Sequence, residues 1–306
     1  MIKIDKLTKQ FGDFTAVNQL SVAFSPGEVI GFLGPNGAGK STTMKMLTGF
    51  LDASAGHISI CGLDIDSQLD EIKPLIGYLP EGAPSYGDMT VAHFLNFIAE
   101  IRGLKGQDKK QKLKSVIESV ELHDVLNRPI DNLSKGYKRR VGLAQAIVHD
   151  PKVLILDEPT DGLDPNQKHQ VRKLIQNLSK DKIVIISTHI LEEVTAVCNR
   201  AIIISEGKML FDGTPDELEA RSRHHQAVTL EFLGEIPPLN TLEQLKQVSE
   251  IQINGKRATV FPTEEDHLYQ RVIEMAEKDG WSVASIYAER GRLDDVFRDL
   301  TMTESA

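Results

Sequence analysis

The sequence predicts an α/β fold with a parallel sheet buried on both faces, followed by a smaller α+β domain. Residues 28–33, which are apolar after Glu28, predict a buried strand, and a glycine-rich loop and a helical pattern over 44–50 follow it. Residues 153–156 and 183–186 are two further short apolar runs, typical of strands in a parallel sheet that is covered on both faces. We therefore expect a ligand site where these strands end, since ligands of open α/β sheets bind beyond the carboxyl ends of the strands.

The loop at 34–42 fits the pattern Gly-x4-Gly-Lys-Ser/Thr, which holds nucleotide phosphates. Its glycines let consecutive backbone N–H groups turn inward without a Cβ clash, and the helix that follows adds the positive end of its dipole. We expect Lys40 to reach the β- and γ-phosphates and the Ser41 hydroxyl to ligate the accompanying Mg²⁺. The predicted phosphate-binding residues are Gly34, Asn36, Gly37, Ala38, Gly39, Lys40, Ser41 and Thr42. A loop of this kind indicates a nucleotide and leaves kinases, GTPases and motors open.

Composition narrows the classes of protein. A formal charge of −9 over 306 residues argues against nucleic acid as a partner, because neutralising its phosphates needs a basic face. Cys61 and Cys198 lie in unrelated segments, so we expect two small buried hydrophobic side chains in a reducing compartment. No apolar run approaches the roughly 18 residues of a membrane helix. We therefore expect a soluble, cytoplasmic chain that reaches a membrane only through a partner.

Changes in hydrophobic period divide the chain into regions. Residues 1–5 alternate apolar and charged side chains like an edge strand, and apolar residues at helical spacing predict a helical segment over about 83–150. We predict a first domain over residues 1–220, a polar linker at 221–227 and a small C-terminal domain over 228–306. His224 and His225 lack companion metal ligands at usable spacing, which favours the linker over a metal site.

The small C-terminal domain shows the element order βαββαβ, which suggests a ferredoxin-like fold. An Asn254-Gly255 turn between two predicted strands is a strong hairpin signal. The predicted strands are 228–233, 249–254, 256–261 and 283–287, the predicted helices are 240–247 and 264–278, and a final amphipathic turn covers 293–297.

Two carboxylates, Asp157 and Glu158, follow the apolar run at 153–156, so both emerge at the end of that predicted strand. We expect Asp157 to hold Mg²⁺ through its water shell and Glu158 to polarise an attacking water. General-base help of this kind is typically worth ~10²–10⁴ in rate. Without the phosphate loop upstream, an ordinary acidic turn would be the better interpretation. Together, the two motifs point to phosphoryl transfer to water.

Residues 133–137, Leu-Ser-Lys-Gly-Tyr, resemble the signature loop of ABC transporter nucleotide-binding subunits, in a variant with Lys-Gly-Tyr where Gly-Gly-Gln is commoner. The order of motifs also matches that family. The phosphate loop comes first, then the signature, then the Asp-Glu strand, then residues 160–164, which resemble the D-loop, and then Ser-Thr-His at 187–189. The resemblance covers residues 1 to about 220 and implies a P-loop NTPase fold of the ABC type.

The resemblance implies roles for further residues. Two copies of the chain would sandwich two ATPs head to tail, with Ser134 and the Gly136 amide of one copy binding the γ-phosphate held by the other copy. His189 would clasp that phosphate as a catalytic residue beside Glu158 and Lys40. Asp164 would help to couple the two sites, and Phe11 stands where such proteins stack an aromatic ring on adenine.

One residue departs from the family pattern. The family usually has Gln at the last position of the segment 76–81, where its neutral carbonyl oxygen interacts with Mg²⁺ or with the attacking water. This chain has Glu81 at that position. We expect Glu81 at the metal, at the hinge of the helical segment that meets the membrane partner in such transporters. The Glu form resembles a minority variant among exporter-type subunits.

The function implied is that of an ATP-binding and hydrolysing subunit that dimerises around ATP and Mg²⁺. It would drive export through a membrane-spanning permease at the inner face of a bacterial membrane. The C-terminal tail is similar to the extension of exporter-class subunits, among them the gliding-motility and multidrug types. The membrane subunit selects the cargo in that family, so the cargo is not encoded in this chain.

A soluble ABC ATPase of cofactor assembly, repair or translation is the alternative. The single phosphate loop disfavours the translation type, the lack of sustained heptads disfavours the repair type, and the C-terminal domain disfavours the cofactor-assembly type. A nucleotide-binding regulatory module without hydrolysis is disfavoured by Glu158.

Overall fold

The computed structural model of the chain describes residues 1–82, 86–263 and 268–302. The chain divides into a first unit of residues 1–215 and a second unit of residues 216–306. Residues 221–227, which we predicted as a linker, fall within the second unit. The predicted domain boundaries stay a prediction.

The first unit contains both strands and helices. Its strands are β1 (Ile2–Phe11), β2 (Phe14–Phe24), β3 (Val29–Leu33), β4 (Ala55–Ile60), β5 (Leu63–Asp64), β6 (Ile76–Leu79), β7 (Val153–Asp157), β8 (Ile183–Thr188), β9 (Arg200–Ser205) and β10 (Lys208–Gly213). Its helices are α1 (Lys40–Leu47), α2 (Leu69–Ile72), α3 (Val91–Ile101), α4 (Gly106–Ser119), α5 (Lys135–Ile147), α6 (Pro165–Leu178) and α7 (Leu191–Val197).

A six-stranded sheet with the order β10-β9-β3-β8-β7-β6 forms the centre of this unit. All its strand pairs are parallel except β9 with β10. Every residue of β3, β7 and β8 is buried, which confirms the sheet predicted from the three apolar runs. Leu33 lies opposite Thr188, and Asp157 lies opposite Ser187. The segments that follow these three strands therefore leave the sheet at one edge.

A second, antiparallel sheet has the order β2-β1-β4-β5. The edge-strand expectation for residues 1–5 is wrong, because β1 pairs with β2 on one side and with β4 on the other. Ile2 and Ile4 are buried in a core shared by the two sheets, while Lys3 and Asp5 are exposed. The alternation of apolar and charged residues in β1 thus indicates that one side of the sheet faces solvent. It does not indicate that β1 is an edge strand.

The predicted helical segment contains α3, α4 and α5, and residues 83–85 at its start lie outside the described residues. Thr90 caps α3 by accepting a hydrogen bond from His93 N at 3.3 Å. Helix α1 starts at Lys40 and ends at Leu47, so the helix predicted over 44–50 runs too far. Gly49, in the left-handed region with φ 67°, turns the chain away after the helix.

The second unit contains the six elements in the predicted βαββαβ order, with two further helices. Its elements are α8 (Pro215–Ala220), β11 (Val228–Phe232), α9 (Asn240–Glu243), β12 (Val248–Asn254), β13 (Arg257–Pro262), α10 (Leu268–Lys278), β14 (Val283–Ala288) and α11 (Leu293–Met302). Helix α9 is shorter than predicted, and the predicted residues 264–267 of α10 lie outside the described residues. The strands form an antiparallel sheet in the order β12-β13-β11-β14. The ferredoxin-like class stays a prediction.

His224 is a packed residue of the second unit. Its ring meets that of Phe261 edge to face at 5.2 Å, and its Nδ1 lies 3.1 Å from Asp295 Oδ2. Cys198 is buried, as expected, whereas the expectation for Cys61 is wrong, because Cys61 is exposed on the turn between β4 and β5. Within the part of the chain that the structure describes, no helix combines the length and the apolar character needed to cross a membrane.

His149, between α5 and β7, is a half-buried histidine. Its Nε2 donates a hydrogen bond to Ile76 O at 3.0 Å, and its Nδ1 is buried with no hydrogen-bond partner among the described residues. Burial, with the nearby charge of Arg102, lowers the pKa of His149 to about 4. A proton on Nδ1 would place a charge in a site that offers it no acceptor.

We expect this histidine to make stability depend on pH. The unfolded imidazole has a pKa of about 6.5, so between that value and about 4 the unfolded chain binds more protons. The contribution of His149 to the free energy of unfolding is complete above about pH 6.5 and is lost as the pH falls towards about 4. Urea unfolding followed by circular dichroism at about pH 7 and about pH 5 measures the loss. The variant His149→Gln can still donate to Ile76 O. Between the two pH values, its free energy of unfolding should fall by less than that of the wild type. An equal fall in both proteins would contradict the assignment of this pH dependence to His149.

Candidate functional site

The loop between β3 and α1 is packed so closely that only glycine fits at two of its positions. A Cβ on Gly34 would lie 2.4 Å from Ile204 O, and a Cβ on Gly39 would lie 2.4 Å from Ala16 O. Gly39 also has φ 103°, in the left-handed region. Asn36 and Gly37 are exposed at the tip of the loop, and Ala38 is buried beneath it. The loop therefore opens its backbone to solvent on one side only.

Lys40, the first residue of α1, is buried across the base of this loop. It is 8% exposed, and its Nζ donates hydrogen bonds to Gly34 O at 2.7 Å and to Pro35 O at 3.0 Å. Burial lowers the pKa of Lys40, and the carboxylates of Glu158, Asp157 and Glu81 oppose that shift. The ammonium thus lies among acidic groups, beside a helix N-terminus, where an anionic ligand would find a fixed cation.

The first turn of α1 carries the remaining predicted loop residues. Ser41 and Thr42 are partly buried, with their positions set by the start of the helix. Thr43, which the sequence analysis did not single out, is fully buried and donates from its Oγ1 to Gly39 O at 2.9 Å. This hydrogen bond fixes the last glycine of the loop from beneath.

Asp157 and Glu158 leave the sheet at the end of β7, as predicted. Asp157 is 2% exposed, and its Oδ1 accepts a hydrogen bond from Ser187 Oγ at 2.5 Å. Glu158 N donates to Ser187 O at 2.9 Å. The backbone of Glu158 lies in the left-handed region with φ 52°, which costs a non-glycine residue about 1–2 kcal/mol. The contacts with β8 hold this strained residue in place.

The structure brings Glu158 and His189 together. Glu158 Oε1 lies 2.8 Å from His189 Nδ1, so the ring nitrogen donates to the carboxylate. The side chain of Glu158 is 15% exposed and that of His189 is 59% exposed. The two residues predicted to be catalytic therefore meet beyond the carboxyl ends of β7 and β8, with His189 facing solvent.

Arg139 on α5 is a site residue that sequence reasoning missed. It is buried, and its Nη1 donates to Pro80 O at 3.1 Å while its Nη2 donates to Asp157 O and Glu158 O. Burial lowers the pKa of Arg139, and the carboxylates of Asp161, Asp157, Glu158 and Glu81 oppose that shift. This guanidinium joins α5 to the segments before Glu81 and after β7. The sequence Lys138-Arg139-Arg140 does not indicate which of these basic side chains are buried.

Ser134, Gly136 and Asp164 lie at two neighbouring helix starts. Ser134 caps α5 by accepting from Tyr137 N at 3.4 Å, and Asp164 caps α6 by accepting from Gln167 N at 2.9 Å. A Cβ on Gly136 would lie 2.7 Å from Gln167 Oε1, so α5 and α6 touch at this glycine. In the described ranges of one chain, no hydrogen bond joins these three residues to the loop at 34–42.

Glu81 and Phe11 complete the predicted set. Glu81 is exposed after β6, near enough for its carboxylate to influence the pKa of Lys40 and of Arg139. Phe11 ends β1 with half of its surface exposed, and Lys9 Nζ lies 5.2 Å from its ring centre. Phe14, which pairs with Phe11 across the hairpin, is still more exposed and was not predicted. Both side chains leave half or more of their surface open to a planar ligand.

Comparisons with known proteins agree with these motifs. The family model described as ABC transporter matches residues 17–161. An uncharacterised ABC transporter ATP-binding protein of Bacillus subtilis (strain 168) is 33% identical over 297 residues, which is 97% of this chain and 98% of the relative. The Nod factor export ATP-binding protein I of Paraburkholderia xenovorans (strain LB400) is 32% identical over 305 residues, which is 99% of this chain and 97% of the relative.

A solved structure shares the fold. The dimeric structure of a bacterial ABC transporter cassette superposes with a TM-score of 0.66 at 22% identity, covering 70% of this chain and 99% of that chain. This likeness confirms the predicted fold class for the part of the chain that it covers.

The glycines of the loop give a graded prediction for nucleotide binding. Gly37→Ala strains a left-handed residue in open space, at a cost of about 1–2 kcal/mol, so we expect the Kd for ATP to rise roughly tenfold. Gly39→Ala adds a clash with the Ala16 carbonyl and should abolish binding. Gly62→Ala, at a left-handed glycine in open space between β4 and β5, is the matched control and should leave the Kd unchanged. Calorimetric titration with ATP measures all three. Equal effects at Gly37 and Gly39 would contradict the packing argument.

Proposed function

We propose that this chain, which belongs to the family of ABC transporter ATP-binding proteins, hydrolyses ATP as one half of a dimer that drives export through a separate membrane-spanning permease. The observation that carries the proposal is the cluster at the sheet edge. There the carboxylates of Glu158 and Asp157 lie near enough to act on the charge of Lys40, and Glu158 is hydrogen-bonded to His189.

ATP fits the loop between β3 and α1. The glycine backbone and the N-terminus of α1 suit the β- and γ-phosphates, and phosphate oxygens would replace the two carbonyls that now hold Lys40 Nζ. Phe11, half exposed at the end of β1, would stack on the adenine. A Mg²⁺ ion suits the oxygen donors Ser41, Asp157 and Glu81. When bound, it would neutralise charge on the phosphates.

Glu158 would act as the general base. Its carboxylate takes a proton from a water as the water oxygen bonds to the γ-phosphorus, and the bond from that phosphorus to the bridging oxygen of ADP breaks. His189 orients Glu158 through the 2.8 Å hydrogen bond and presents its other ring edge to the γ-phosphate. Lys40 would stabilise the negative charge that develops on the phosphate oxygens.

A second copy of the chain would complete the site. Ser134, Gly136 and Asp164 lie at the starts of α5 and α6, and Ser134 and Asp164 are exposed there. The start of α5, with its capping hydroxyl, is suited to the γ-phosphate held by the other copy. The matched cassette is described as dimeric, which supports this arrangement.

Export through a permease is supported by the Nod factor export relative, which matches nearly the whole chain. A groove beside the helical segment gives the partner a surface, because Phe50 and Ile101 expose 79% and 64% of their areas near Tyr78 and Arg102. Exposed apolar side chains around a groove suit a hydrophobic partner segment. The chain would then lie at the inner face of the cell membrane.

Glu158→Gln tests the proposed function. We expect phosphate release to fall by ~10²–10⁴ because the amide cannot accept the proton. ATP binding should persist, and light scattering should show a dimer in the presence of ATP, because the nucleotide is no longer consumed. Glu71→Gln, an exposed change of the same kind on α2, is the control and should hydrolyse at the wild-type rate. Wild-type turnover in Glu158→Gln would refute the assignment of the base.

A further inference from the structure

Glu193, in the first turn of α7, is a buried carboxylate that the mechanism above does not use. It is 4% exposed, and burial raises the pKa of its side chain. Its neighbour Glu192 is exposed, so the two acidic residues of the same turn lie in opposite environments. An acidic residue in the first turn interacts favourably with the helix dipole, and the exposed Glu192 already supplies one. The dipole therefore does not explain why Glu193 is buried.

Each oxygen of Glu193 accepts a hydrogen bond from a threonine hydroxyl. Thr188 Oγ1 donates to Oε2 at 3.0 Å, and Thr160 Oγ1 donates to Oε1. Thr188 ends β8 directly before His189, and its Oγ1 also accepts from Ile190 N at 3.1 Å. Thr160 lies two residues after Glu158. One carboxylate is therefore hydrogen-bonded to two threonines, one next to His189 and the other two residues after Glu158.

The surroundings of Glu193 suit an ionised carboxylate. Two hydroxyl donors face an acceptor-only group, and Lys168 Nζ on α6 lies 4.0 Å from Oε1. The charges of Lys168 and Arg172 act against the effect of burial on the pKa of Glu193. A buried charge is costly unless it is paired, and here two of the partners, Thr160 and Thr188, lie close in sequence to Glu158 and His189.

We propose that Glu193 is a positioning residue for ATP hydrolysis. By holding Thr160 and Thr188 at a fixed separation, it sets the distance between Glu158 and His189. It also anchors the start of the segment that leads to Asp164, so both the base and the residue predicted to couple the two copies depend on it. The inference rests on the roles proposed for Glu158 and His189.

Thr160→Val and Thr160→Ser form the matched test. Valine has nearly the shape of threonine and lacks the hydroxyl, whereas serine keeps the hydroxyl. We expect Thr160→Val to lower kcat about tenfold with the KM for ATP unchanged, because misplacement of a catalytic group acts on the chemical step. Thr160→Ser should restore a kcat close to that of the wild type.

Glu193→Ala removes both contacts, and we expect kcat to fall about 100-fold, again with an unchanged KM. Glu192→Ala, one residue away and exposed, should keep the wild-type kcat. If Glu193→Ala does not fold, the Thr160 pair still decides the question. A wild-type kcat in Thr160→Val, or a loss that Thr160→Ser does not restore, would overturn the inference.

The two proposals fail in different ways. If the proposed function fails, Glu158→Gln and His189→Ala hydrolyse ATP at the wild-type rate, and the role of Glu193 falls with it. If only the role of Glu193 fails, those two variants lose hydrolysis while Thr160→Val keeps the wild-type kcat.

Discussion

The parallel register of β3, β8 and β7 is the constraint on which the site depends. Because Leu33 lies opposite Thr188 and Asp157 lies opposite Ser187, the three segments that follow these strands leave the sheet at one edge. The strands are buried on both faces, so a shift of one strand against its neighbour would disturb the whole core. The loop at 34–42, Glu158 and His189 are thus brought to the same end of the sheet by the backbone hydrogen bonds between these strands.

Charge at this edge is organised around two buried cations. Lys40 and Arg139 each lie among the carboxylates of Asp157, Glu158 and Glu81, and burial lowers the pKa of both while the carboxylates oppose it. Arg139 also helps to hold the left-handed backbone of Glu158 in place, because its guanidinium donates to the carbonyl of that residue. Groups fixed in this way need little rearrangement when a charged ligand arrives, which is the condition for strong electrostatic stabilisation of a transition state.

Local patterns made the loop and the buried strands predictable, since each is decided by neighbours in sequence. Arg139 and Glu193 were not predictable, because their partners lie in segments that only the fold brings near, and a run of three basic residues or two acidic ones looks like a solvated helix face. The error at β1 has the same origin, because alternation reports which face of a strand is buried and says nothing of its neighbours. The exposure of Cys61 likewise follows from a turn that composition does not reveal.

The central claim is that one chain carries half of each site, with Lys40 on one copy and Ser134 on the other. Lys40→Ala disables the first half and Ser134→Arg the second, so neither variant should hydrolyse ATP alone. Mixing the two gives some dimers in which the intact loop of one chain meets the intact signature of the other. The account predicts that phosphate release returns on mixing, in proportion to those mixed dimers. A mixture as inactive as its two components would show that the site does not span two copies.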